Sequence, residues 1–211
     1  MEKIFNDTNP VFEKFRKTPN VEFEFRFGKS FGTKNFDTNV GKATFEKVLR
    51  RLKKFNQWEA FAVTKDMVYS ADPNLRLTID DATDKQTQVA KHKIYKNDFS
   101  LAGKPFDVRF AVATEDPVSV ADVEYTRVRQ RVRESFLRKN VRIDLTVVTG
   151  DPNDMDCEEV RVFSQRAAGL ITRTLSSQDT VYQIELEVVD PTKVENFYSV
   201  VYKIQNLLEI V

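Results

Sequence analysis

The chain has 211 residues, enough to bury one sizeable core, and its 33 lysines and arginines nearly cancel 32 aspartates and glutamates, so a uniformly basic nucleic-acid grip is excluded and any charge-based function has to be local. A single cysteine, Cys157, and a single histidine, His92, exclude an internal disulfide, a histidine triad and a zinc cluster. There is no run of about 18 apolar residues and no cationic-then-apolar start, which predicts an intracellular chain with no membrane partner.

Asn9-Pro10 reads as the start of a short helix with Val11, Phe12 and Phe15 on one face. Val21 to Phe27 alternates strictly, with Val21, Phe23, Phe25 and Phe27 on one side and Glu22, Glu24 and Arg26 on the other, and so predicts a strand. Between Lys42 and Asn56, Phe45, Val48, Leu49, Leu52 and Phe55 recur at helical spacing among lysines and arginines. Alternating segments follow at Asn74 to Asp80, Gln88 to Tyr95, Phe106 to Glu115, Glu124 to Phe136, Val141 to Thr149, Val160 to Ser164 and Tyr182 to Val189. About eight strands are expected. Asp190-Pro191 then predicts a last helix carrying Val194, Phe197, Val201, Ile204 and Leu208. The 17 phenylalanines and the many valines suit pleated, half-buried surfaces, and none of the six glycines sits in a GxGxxG or GxxxxGK[ST] pattern, so Rossmann and P-loop readings fail. With no linker or repeat, the chain reads as a single mainly β domain, residues 1–211; its end in the last helix suggests the N-terminal fragment of a longer enzyme.

The strand faces opposite the apolar residues are sorted by charge. Glu22 and Glu24 share one face, as do Glu185 and Glu187; Arg127, Arg129, Arg131 and Arg133 share another. Arg142, Asp144 and Thr146 face away from Val141, Ile143, Leu145 and Val147, and Asp107, Arg109 and Glu115 away from Phe106, Val108, Phe110 and Val112. Two carboxylates about 7 Å apart repel by about 2 kcal/mol at an effective dielectric near 20, so acids gathered in this way need cations. Hard divalent ions accept carboxylate oxygens, and guanidinium forks match phosphate oxygens, so the combination predicts a place for metal-bound polyphosphate. Either half alone is ordinary: one ExE pair is a common solvated strand face, and an arginine row also serves as a generic anion patch. His92 reads as a surface residue, Cys157 as a bystander, Trp58 as a core-edge aromatic and Asp151 to Asp156 as a solvated turn.

At Val21 to Gly28, Arg142 to Thr146 and Ile184 to Glu187 the sequence resembles the triphosphate tunnel metalloenzymes, most of all their RNA 5′-triphosphatase branch, the messenger-RNA capping triphosphatases of fungi, protozoa and large DNA viruses. The compact size is similar to that of a viral capping-enzyme domain, which would act in the host cytoplasm or virion. The resemblance implies an eight-stranded antiparallel β-barrel with supporting helices and a Mg2+ or Mn2+ cofactor. It also implies metal-dependent removal of the γ-phosphate from 5′-triphosphate RNA, the first step of mRNA capping. In this reading Glu22, Glu24 and Glu187 ligate the metal, and Glu185, Glu115 and Asp144 are catalytic, with Glu185 and Glu115 orienting water. Arg76, Lys91, Lys93, Arg127, Arg129, Arg131, Arg142 and Thr146 bind phosphate, and Phe27 braces the wall. Gln183 stands where fungal members extend the last motif to a third glutamate, and Arg129 where they often carry lysine. The capping guanylyltransferase, whose lysine-x-aspartate-glycine signature the chain lacks, is the expected partner, in cis or trans. The alternatives are a tunnel enzyme acting on nucleoside triphosphate, thiamine triphosphate or inorganic polyphosphate, and a non-catalytic polyphosphate-binding or RNA-binding module. Near-zero net charge predicts that RNA is held through its triphosphate, without a long electrostatic footprint.

Overall fold

The strand predicted at Val21 runs as β1, Val21–Phe31, in a computed structural model that describes residues 1–31, 35–71, 74–119, 123–150, 160–161 and 180–211. Cys157 and Asp151 to Asp156 lie outside the described residues. In chain order the elements are α1 (Glu2–Phe15), β1, β2 (Asn35–Asp37), α2 (Lys42–Lys54), β3 (Ala60–Ala71), β4 (Leu75–Asp80), β5 (Gln86–Phe99), β6 (Asp107–Pro117), β7 (Glu124–Tyr125), β8 (Arg127–Arg138), β9 (Val141–Thr149), β10 (Val160–Arg161), β11 (Thr180–Val188) and α3 (Tyr198–Leu208). Antiparallel pairing runs β11-β9-β8-β3-β4-β5-β6-β1 and closes through β1 on β11, so eight strands form a barrel with no free edge. β2 folds back on β1, and β7 pairs with β10 outside the barrel.

The core lies outside the barrel wall. Phe23, Phe25 and Phe27 of β1, Phe110 of β6, Leu145 of β9 and Leu186 of β11 are fully buried under α1 and α3. Phe12 of α1 stacks on Phe197 at 4.1 Å between centroids, and Phe25 meets Phe110 at 4.7 Å. Each buried phenylalanine contributes about 1.5 to 3 kcal/mol. Because strand side chains alternate, an apolar outer wall obliges the charged parity to point inward.

Five elements differ from expectation. α1 starts at Glu2 and takes Pro10 into its interior, because Ile4, Thr8 and Phe12 at four-residue spacing are all buried and Thr8 Oγ1 donates to Ile4 O at 2.6 Å; that packing offsets the roughly 3 kcal/mol cost of an internal proline. Asp190-Pro191 opens only a short 3-10 turn, Pro191–Lys193, since Arg16 donates to the carbonyls of Thr192 and Val194 that a helix would need; α3 begins at Tyr198. The segment Glu124 to Phe136 divides into β7 and β8. β3 was not anticipated: its first six residues are exposed on both faces, so no burial period marks them. β2 was not anticipated either, and of the strand expected at Val160 to Ser164 the residues after Arg161 lie outside the described residues. The other strands and α2 lie where the alternation and helical spacing place them, and Trp58 packs at the core edge on Phe55 and Phe136.

Gly28 is where β2 crosses β1. A Cβ there would stand 2.1 Å from Asp37 O and 2.5 Å from the Phe36 ring. Gly28→Ala should therefore lift β2 off β1 and cost about 1 to 3 kcal/mol, read as a lowered midpoint in thermal or urea unfolding.

Candidate active site: a charged tunnel

Cross-strand register carries the sorted faces into one interior. Glu24 pairs across to Glu187 and Arg26 to Glu185; Glu185 pairs to Asp144, Glu187 to Arg142, Thr146 to Arg133, and Arg131 to Asp66. On the other side of β1, Glu22 lies opposite Ala113 and Glu24 opposite Ala111, whose small side chains leave the space in front of both acids open. Cross-strand neighbours bring their Cβ atoms within about 5.5 Å, so carboxylates from both ends of the chain share a volume.

Cations thread between the acids. Arg26 bridges Glu24 Oε2 at 2.9 Å and Glu185 Oε1 at 2.8 Å. Lys91 bonds Glu22 and reaches Glu115 Oε1 at 3.0 Å, and Arg76 Nη2 meets that oxygen at 2.7 Å. Arg142 joins Glu187 at 2.5 Å to Asp144 at 2.9 Å, and Arg133 approaches Asp144 at 3.4 Å. Asp144, 1% exposed, also accepts from Ser135 Oγ at 2.7 Å, so it sets the directions of two guanidiniums and a hydroxyl.

The acids respond differently to this enclosure. Burial pushes the Glu24 carboxyl up to about 7; Arg26 opposes the shift, and Glu185 and Glu22 add to it. Burial likewise raises Glu187 to about 7, against Arg142 and with help from Glu22 and Asp144. For Glu185 burial is outweighed by Arg26, Arg133, Lys91 and Arg131, and for Glu115 by Arg76 and Lys91, so both are held below the ordinary glutamate range. Glu185 and Glu115 are thus ionised acceptors, whereas burial disfavours the charged form of Glu24 and Glu187, which a cation placed beside them would restore.

That response bears on whether a divalent ion fits. Among the described residues the donors are carboxylate oxygens without imidazole or thiolate, the set that suits Mg2+ or Mn2+, and an added cation would favour the charged forms of Glu24 and Glu187. Among the described residues no three acids converge on one point, because each is turned toward its own cation.

The phosphate-binding candidates divide. Arg129 and Arg127 have no ion pair among the described residues; Arg129 is depressed first by burial and then by Arg131, Arg76, Arg26 and Arg127 around it. Arg127 is exposed at the rim. Thr146 Oγ1 is buried without a hydrogen-bond partner among the described residues, as is Arg133 Nε. Lys93 shares the face of Ala113 but is exposed and makes no ion pair among the described residues.

Sequence reading missed two features. Asp66 on β3, 6% exposed, grips Arg131 with bonds of 2.8 and 2.9 Å; its signal was a lone acid in a run with no burial period. A bulge between Lys93 and Tyr95 reverses the parity of β5, so Tyr95 joins the outer core and Lys96 and Asp98 fall opposite Ala111 and Arg109. Nothing in the alternation announces that step.

Residues 16–203 match the family model described as mRNA capping enzyme, beta chain. The chain belongs to that family. A curated relative, the mRNA-capping enzyme subunit beta of Yarrowia lipolytica, is 30% identical over 123 residues, 56% of this chain and 32% of its own length, so the match spans about a third of that relative. The Schizosaccharomyces pombe Pct1 RNA triphosphatase superposes with a TM-score of 0.71 at 14% identity, covering 97% of this chain and 92% of Pct1. The mimivirus capping enzyme triphosphatase superposes with a TM-score of 0.63 at 17% identity, covering 100% and 97%. The family's tunnel fold is thus shared with both a yeast and a virus, and the expectation of a viral source rests on size alone. No helix among the described residues is long and apolar enough to cross a membrane.

Proposed function

We propose that the chain hydrolyses the β–γ phosphoanhydride of a 5′-triphosphate RNA end, leaving the 5′-diphosphate that a capping guanylyltransferase, in cis or trans, consumes. The observation that carries this reading is the closed barrel interior that holds Glu24 and Glu187, whose charged forms burial disfavours, together with an arginine, Arg129, that has no acid of its own among the described residues. A bound triphosphate with its metal would supply each with the opposite charge.

Glu22, Glu24 and Glu187 would hold Mg2+ or Mn2+, which when bound neutralises phosphate charge and polarises the phosphoryl oxygens. Arg129, Arg131 and Arg133 hold the γ-phosphoryl oxygens and stabilise the charge that builds on them during in-line attack. Thr146 offers its free hydroxyl to a phosphate oxygen. Glu185 and Glu115, both ionised, accept hydrogen bonds from the attacking water and orient it. Asp144 and Asp66 position arginines and do not touch the reacting atoms.

Phosphate release from γ-labelled RNA, ATP and tripolyphosphate, with Mg2+, Mn2+ or chelator, tests the assignment. Activity on RNA that chelator abolishes is the expected result; a large preference for tripolyphosphate would move the substrate to the free polyphosphates, and absence of turnover on all three would reduce the tunnel to a binding module. Binding can be read separately. At about 100 times its Kd, Mn2+ should stabilise the fold by about 2.7 kcal/mol, a rise of several °C in Tm. Glu187→Gln should remove that rise.

A further inference from the structure

The outer face of α2 carries charge that the tunnel does not use. Lys47, Arg50, Arg51 and Lys54 are exposed, have no ion pair among the described residues, and line a groove of about 350 Å³ completed by Glu209 and Ile210. The other ion pairs of the helix, Lys42 with Glu46 and Lys53 with Glu134, lie off this stripe. Spacings of three and four residues put the four cations on one side of the helix over about 10 Å. Net charge for the whole chain is only +1, so this stripe is a local concentration.

The stripe is tied to one end of the tunnel. Gln183, on the inward face of β11 opposite Thr146, donates to Thr38 Oγ1 at 2.9 Å. Val40 N donates to Tyr182 O at 2.9 Å, and Phe45 of α2 packs edge-on against Tyr182. The segment leading into α2 and α2 itself are therefore both fixed to the same stretch of β11, at Tyr182 and Gln183.

We propose that the α2 stripe binds the phosphodiester backbone of single-stranded RNA, the nucleotides that follow the 5′-triphosphate. This rests on the RNA reading of the tunnel and extends it. Charge complementarity chooses the occupant: a peptide partner needs a buried apolar or aromatic anchor, and the groove offers Ile210 alone, whereas a phosphate backbone needs only forks and ammonium groups on a solvent face. Glu209, the one acid in the lining, limits the footprint to a few phosphates. The near-zero net charge argues against a long track and leaves room for this short one.

The test is fluorescence anisotropy of a labelled 12-nucleotide RNA with a 5′-hydroxyl end, titrated with the full chain at several salt concentrations. Four contacts predict a log–log salt slope of about −2.8, or about 50-fold weaker binding at 200 mM than at 50 mM salt. Arg50→Ala with Arg51→Ala should halve the slope and weaken binding about tenfold or more at low salt, while tripolyphosphate hydrolysis and Tm stay at parental values. If RNA is the substrate, the KM advantage of a 12-nucleotide over a 2-nucleotide triphosphate should vanish in the double variant with kcat unchanged. Equal binding and slope in parent and variant would overturn the proposal, as would polyglutamate of matched charge binding the stripe as tightly as RNA. Because the probe has no triphosphate, failure of the hydrolytic reading would show separately, as absent phosphate release.

Discussion

Glu24→Ala should lower metal-dependent phosphate release by about 10³-fold or more while leaving the protein folded. The size follows from the position of the side chain: it is 6% exposed, its Cα pairs with that of Glu187, and no other acid lies beside it on β1 except Glu22. Loss of one electrostatic contact at a developing charge costs about 10²- to 10³-fold, and loss of a metal ligand removes the ion's share as well. The effect on stability has the opposite character. Burial drives the Glu24 carboxyl up to about 7, with Glu185 and Glu22 adding repulsion, so its removal relieves strain, and Arg26 keeps Glu185 as a partner. The decisive measurement pairs single-turnover phosphate release with a thermal melt. Glu24→Gln sharpens it by keeping the shape of the side chain without the charge; an active Gln variant would show that Glu24 fills space and holds no cation.

Arg129→Ala is expected to cost about 10² to 10³ in kcat/KM, roughly 3 to 4 kcal/mol of transition-state stabilisation, with no loss of Tm. Arg131, Arg133 and Arg142 each spend part of their charge on Asp66, Asp144 or Glu187, so truncating any of them also takes an ion-pair partner from an acid of the tunnel. Arg129 has no such partner among the described residues and is surrounded by Arg131, Arg76, Arg26 and Arg127, which makes its removal a test of substrate binding free of a folding penalty. Arg129→Lys should recover a large part of the activity, since a point charge still reaches a phosphate oxygen. An alanine variant with parental kcat/KM would place the γ-phosphate elsewhere in the tunnel.

Much of this site could be read from residue parity. Over residues 21–27 of β1, 127–133 of β8, 141–147 of β9 and 184–188 of β11 the apolar side chains have one parity and the charged ones the other, and closure of the barrel turns the charged parity inward in all four. Glu22, Glu24, Glu185, Glu187, Arg129, Arg131, Arg142, Asp144 and Thr146 come together for that reason. Where alternation breaks, legibility stops: Lys96 and Asp98 reach the inner face only through the β5 bulge, and β3, which supplies Asp66, lacks a burial period over its first half.

The sequence by itself determined which side chains could share a face, because strand alternation is a property of the backbone and the sorting of charge along it is written residue by residue. It also determined the chemistry of the interior, which among the described residues is one of carboxylates and guanidiniums. Only the tertiary structure decided who is paired with whom. Arg26 between Glu24 and Glu185, Asp66 under Arg131 and Arg129, unpaired among the described residues, depend on the register of strands far apart in the chain, set by packing of the phenylalanine layer against α1 and α3 on the opposite side of the wall.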